Sequence, residues 1–131
     1  MTGTGGHNVA LASADMDGDG DVDIVTAGTG GSRLNLFRND TTTGSQHWLE
    51  VQVVHPVTGA VGGVGARVVV VTPDVTLFRD VSGGHSRASQ PFHSARFGLG
   101  DWDGATTVVA LFPDGSSAAA VNVPADQRIT L

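Results

Sequence analysis

The 131 residues suffice for one domain, or for a small domain with an appended motif, and 40% hydrophobic against 15% charged residues permits a packed core. Formal net charge is −6 and all 7 basic residues are arginine, which argues against nucleic acid or an anionic membrane as the main partner. The absence of cysteine excludes disulfides and thiolate metal sites, no stretch reads as a membrane span or signal peptide, and Met1 to Gly6 reads as a flexible leader.

In chain order, no segment keeps apolar residues at helical spacing, because glycine or β-branched runs interrupt every candidate. Short strand-like runs are expected at Val9 to Ala14, Val22 to Ala27 and Arg33 to Arg38. Trp48 to Val54 alternates, with Val51 and Val53 opposite Glu50 and Gln52. Gly59 to Gly65 lacks the lysine of a phosphate loop and reads as a mobile connector. Ala66 to Thr72 is continuously apolar, as in a strand buried on both faces. Val75 to Val81, Ala95 to Leu99, Thr107 to Phe112, Ser117 to Val121 and Arg128 to Leu131 complete the series. Turn signals such as Pro73-Asp74, Pro113-Asp114-Gly115 and Pro124-Ala125-Asp126 separate them. Strands at this spacing predict an all-β sandwich or barrel-like fold. The polar seam Asp40 to Ser45 divides an acidic first part, residues 1–45, from a larger second part, residues 46–131.

The acids of the first part are regularly placed. Asp15, Asp17, Asp19, Asp21 and Asp23 occupy alternate positions, and Gly20 is sixth in the run. This is the spacing of the first nine residues of an EF-hand-type loop, in which alternate oxygens face a hard cation and the glycine permits a sharp turn. Side-chain oxygens are expected from Asp15, Asp17, Asp19 and Asp23, and the main-chain carbonyl from Asp21. Thr26 stands where an EF-hand has its bidentate glutamate, and strand-like runs flank the loop, so a helix–loop–helix sensor is not expected. Like charges repel by about 1 kcal/mol per close pair even at the dielectric of water, so a solvated acidic turn is a costly alternative. Oxygen-only ligands favour Ca²⁺ over Zn²⁺ or Cu²⁺.

The run Ala14 to Val25, followed by Leu34-Asn35-Leu36-Phe37-Arg38-Asn39-Asp40, resembles an FG-GAP/VCBS repeat. The resemblance implies a blade of an integrin-α-like propeller with Ca²⁺ between two strands. The second part resembles the ASPIC/UnbV domain. The matching pieces are Gly63 to Val68, Ser89-Gln90, Arg96 to Gly100, Phe112 to Gly115 and Val123 to Gln127. Phe112 stands where that family usually has tryptophan. One acidic loop supplies one blade, whose open strand edges invite another chain.

Other groups have bland readings beside sharper ones. His85, His93, Asp101 and Asp103 suggest a second metal or acid–base site, yet no His-Glu-x-x-His spacing occurs, and exposed loops explain them. Ser86 and Ser89 lie near His85 in sequence, which says nothing of their geometry. Trp48 and Trp102 are either sugar platforms or core anchors. Asn39-Asp40-Thr41 fits a glycosylation sequon. The sequence therefore predicts a calcium-loop β-hairpin, propeller-blade-like, packed on a β-sandwich-like domain. The expected function is that of a non-catalytic extracellular or cell-surface module for adhesion, protein interaction or assembly. Its partners would be another protein or a second copy through strand edges, with a glycan as an alternative.

Overall fold

The computed structural model describes residues 8–29, 34–41, 46–84 and 93–131. The ten elements among the described residues are all strands, so the fold is all-β. Each strand lies on one of the stretches where alternation or a β-branched run predicts it. Two compact units divide the chain, one holding the first three strands and the other the remaining seven.

In the first unit, β1 (Asn8–Ala14), β2 (Asp23–Gly28) and β3 (Asn35–Phe37) form an antiparallel sheet in the order β1-β2-β3. Ser13, Ile24 and Phe37 share one row, and Ala12, Val25 and Leu36 share the next. Adjacent rows point to opposite faces, so the sheet is apolar on both sides. Ile24, Leu36 and Phe37 remain 41%, 54% and 56% exposed. The acidic loop is the connection between β1 and β2.

The second unit is a two-sheet sandwich. One sheet has the order β10-β4-β7, from β4 (His47–Gln52), β7 (Ser94–Gly100) and β10 (Gln127–Thr130). The other has the order β6-β5-β8-β9, from β5 (Arg67–Val71), β6 (Thr76–Asp80), β8 (Gly104–Leu111) and β9 (Ser117–Pro124). The alternating Leu49, Val51 and Val53 are fully buried, as are Val68, Val70, Val108 and Ala110 from the facing sheet. Ala95, Phe97 and Leu99 of β7 complete the core from the first side. The two ends of this unit meet here, because β10 lies parallel to β4 with Ile129 opposite Val51.

Two expectations are corrected. Ala66 to Thr72 is not buried on both faces. Val68 and Val70 face the other sheet, while Val69 and Val71 are only half-buried on the outer face, where no layer covers them fully. The glycine-rich connector is not loose either. Val54 bridges Val61, and Gly62 N–H and Gly65 N–H donate to the carbonyls of Val53 and Val81.

One polar row crosses the outer face of the β4 sheet. Arg128, Glu50 and Arg96 are register partners on β10, β4 and β7. Glu50 is 4% exposed, and its carboxylate accepts from Ser94 Oγ at 2.6 Å and from Arg128 Nη2 at 2.9 Å. Arg96 Nη1 stands 3.6 Å from the same carboxylate, and its guanidinium covers the Trp48 ring at 4.4 Å. A buried carboxylate demands this degree of pairing.

Candidate metal centre

The acidic loop is shaped by its own aspartates. Asp15 Oδ1 accepts from Gly18 N–H at 2.7 Å, and its Oδ2 accepts from Gly20 N–H at 3.2 Å. Asp17 Oδ1 takes the N–H of Asp19 at 3.3 Å, and Asp19 Oδ1 takes that of Asp21 at 2.9 Å. Short acids that bond the backbone two or three residues on stabilise such turns. Gly20 has φ 100°, a left-handed conformation that suits the sixth position of the run.

This winding brings carboxylate oxygens of Asp15, Asp17 and Asp19 within 4.8 Å of one another. They are the one such cluster of His, Cys, Asp or Glu among the described residues. Asp21 is half-buried in the loop and is not in the cluster. Asp23, on β2, is 1% exposed. Its Oδ2 accepts from Met16 N–H and its Oδ1 from Asn39 N–H, both at 2.9 Å. Asp23 thus staples the start of the loop to the segment after β3. Those two N–H groups, Asn39 first, hold its carboxyl below the ordinary value, against the upward push of burial and of Asp15.

Arg38 is a member of the site that acid spacing alone does not show. Its Nε lies 2.9 Å from Asp17 Oδ2, and its Nη2 lies 3.8 Å from Asp19 Oδ2. It also pairs with Asp40. Asp17 and then Asp40 raise its already high pKa. The signal was the Leu-Phe-Arg-Asn-Asp segment, which supplies Arg38 as a counter-ion and Asn39 as a staple. The donor set is oxygen only and converges from one turn, which fits a hard divalent cation. Such an ion would relieve the repulsion among the three carboxylates and would share Asp17 with Arg38.

The other sequence candidates are dispersed or already engaged. His85, Ser86 and Ser89 lie outside the described residues. His93 packs against Gly62, where an added Cβ would lie 3.1 Å from its Nδ1. Asp101 and Asp103 are exposed, and Trp48 lies beneath Arg96.

Two His–Asp pairs went unread in the sequence. His55 Nδ1 accepts the N–H groups of Val57 and Thr58 at 3.2 Å, which puts the ring proton on Nε2, 3.1 Å from Asp114 Oδ2. Ser116 Oγ donates to Asp114 at 2.6 Å, so the serine serves the carboxylate and not the imidazole. His47 Nδ1 lies 2.6 Å from Asp126 Oδ2, and Trp48 N–H donates to Asp126 Oδ1 at 3.2 Å. Asp114 and Asp126 sit in the turns after β8 and β9, so both pairs pin corners of the sandwich.

Both aspartates of those corners lie inside a span that matches a known family. Residues 57–131 match the model of the family described as ASPIC and UnbV. The chain belongs to the ASPIC and UnbV family. No curated protein matches the chain. In this ASPIC/UnbV domain, Gly63 to Gly65 form the turn into β5, Arg96 to Gly100 lie in β7, and Phe112 to Gly115 form the turn into β9. Phe112 is 6% exposed and its ring centroid lies 4.8 Å from that of His55. β4 precedes the matched span, yet it is the central strand of its sheet and supplies Leu49 and Val51 to the core. The folded ASPIC/UnbV unit therefore includes β4.

Proposed function

We propose that the chain is a non-catalytic extracellular calcium-binding module in which an FG-GAP/VCBS-type loop accompanies the ASPIC/UnbV domain. The observation that carries this reading is the convergence of Asp15, Asp17 and Asp19 within 4.8 Å. Ca²⁺ held by these carboxylates neutralises the loop and fixes the turn between β1 and β2. Asp21 contributes through its main chain, and Asp23 closes the loop from β2. Metal binding of this kind adds directly to folding free energy. Adhesion or assembly through the ordered strands is the corresponding biological work.

The geometry of the His55–Asp114 pair supports a structural role for that pair. The acceptor nitrogen of His55 already serves two backbone N–H groups, and its Nε2 faces the Asp114 carboxylate. Among the described residues no helix is long and apolar enough to cross a membrane. A self-assembling subunit is the second reading, favoured by β9. This edge strand, Ser-Ala-Ala-Ala-Val-Asn-Val-Pro, has no charged residue to discourage pairing with another chain.

Calorimetric titration with Ca²⁺, followed by light scattering of the same samples, tests both readings. The module reading expects saturable Ca²⁺ binding that the double variant Asp17→Asn, Asp19→Asn abolishes. Absence of binding heat under varied temperatures would remove it. Growth of scattering mass on adding Ca²⁺ favours assembly, and an unchanged monomer mass favours a monomeric binder.

A further inference from the structure

We infer that the open cleft beside Trp102 is a binding site for a neutral saccharide. The cleft has a volume of about 390 Å³, within the range of small-ligand sites. Its floor is apolar, from the buried Ala105 and Val123 where β8 meets the end of β9. Its walls include Pro73 and Trp102. Trp102 is half-buried, packs against the core and lines the cleft. A half-buried indole that lines a cleft offers apolar ring surface to the C–H face of a sugar.

The rim supplies the complementary polar chemistry. Asp103 and Asn122 both line the cleft and are exposed. Among the described residues, neither side chain has a hydrogen-bond or ion-pair partner. A carboxylate accepts from two sugar hydroxyls, and a carboxamide both donates and accepts. Asn122 holds φ 52°, a left-handed conformation that glycine adopts with less strain. Asparagine tolerates this conformation better than most side chains, so Asn122 can present a carboxamide there. Asp103 and the net charge of −6 disfavour uronic, sialylated or sulfated sugars, so the ligand class is neutral.

Trp48 offers no second platform, because Arg96 covers its ring at 4.4 Å. The inference does not rest on the calcium reading, since the cleft belongs wholly to the ASPIC/UnbV unit. Saccharide binding should therefore persist in chelator.

The test is a glycan array carrying neutral and anionic glycans, probed with the full chain, followed by calorimetry with the strongest neutral glycan. Binding should weaken about tenfold or more in Asp103→Ala, as expected when a charge-assisted hydrogen bond is lost. Asn122→Gly should weaken binding while leaving the melting temperature unchanged or higher. That variant keeps the test sound even if Trp102→Ala unfolds the core. Binding of Trp48→Phe should match that of the unaltered chain. The inference is overturned by an array with no neutral glycan bound, by a preference for anionic glycans, or by affinity unchanged in both Asp103→Ala and Asn122→Gly.

Discussion

Arg38 Nε lies 2.9 Å from Asp17 Oδ2, so a guanidinium delivered from beyond β3 sits on an oxygen of the acidic cluster. Asp17 lies in the loop between β1 and β2 and Arg38 just after β3, and the antiparallel pairing of β2 with β3 brings them together. A divalent ion at the cluster would meet a fixed positive charge there and would compete for Asp17. Replacing Arg38 by glutamine should tighten Ca²⁺ binding a few-fold, since Asp17 would no longer be shared with an exposed guanidinium. Titration calorimetry at low ionic strength measures this. Weaker binding in Arg38→Gln would show instead that the arginine positions Asp17 for the ion.

Acid stability draws on Asp80, which Arg67 holds low, and on three further aspartates. Asp23 is held low by the N–H groups of Asn39 and Met16, Asp114 by the hydroxyl and N–H of Ser116, and Asp126 by His47 and then Trp48. Each carboxyl is depressed below its reference value of 3.8. Depressed carboxyls contribute stability that is fully present above the unfolded pKa and is lost as pH falls through the folded pKa. Thermal melts should therefore show these contributions intact from neutrality down to about pH 4 and declining below it. Asp23→Asn should lower the melting temperature at pH 7, and its deficit against the unaltered chain should shrink below pH 4. A deficit independent of pH would assign the effect to packing alone.

Gly63 is the most constrained glycine of the ASPIC/UnbV unit. Its φ is 48°, and an added Cβ would lie 2.1 Å from Val53 Cγ2 in the core. Gly63→Ala should destabilise by about 1–3 kcal/mol for overpacking, plus about 1 kcal/mol for the left-handed backbone. Urea unfolding reads this as a lower midpoint with an unchanged slope. A shift within error would mean that Val53 moves aside freely.

Extending the folded unit to β4 also has a direct consequence. A chain beginning at residue 57 lacks the central strand of the β10-β4-β7 sheet and both histidines of the His–Asp corners. It should show no cooperative unfolding, whereas residues 46–131 should unfold in one transition. Comparing their denaturation curves checks this, and a cooperative transition in the shorter chain would contradict it.

Local pattern revealed the strands because their signal is local. The alternation of Leu49, Val51 and Val53 and the β-branched run of β5 mark strands without any partner. Partner choice is not local. The parallel pairing of β10 with β4 joins the two ends of the unit, and nothing near Ile129 names Val51. Burial of Glu50 was hidden for the same reason, because its shelter is a row built from three strands distant in sequence. The run of β5 looked buried on both faces, since apolar residues alone do not tell which side receives a second sheet. At the loop, acid spacing showed which carboxylates gather, whereas the parts of Arg38 and Asn39 depend on β3 lying beside β2.

The acidic loop is most directly examined by the melting temperature of the full chain in excess chelator and then in Ca²⁺, with Asp15→Asn, Asp17→Asn, Asp19→Asn as reference. A cation that binds the folded state alone raises stability by about 2.7 kcal/mol at a hundredfold excess over its dissociation constant. The unaltered chain should melt lower in chelator and recover in Ca²⁺, while the triple variant should melt at one temperature in both. Identical melts of the unaltered chain with chelator and with Ca²⁺ would contradict a structural calcium site.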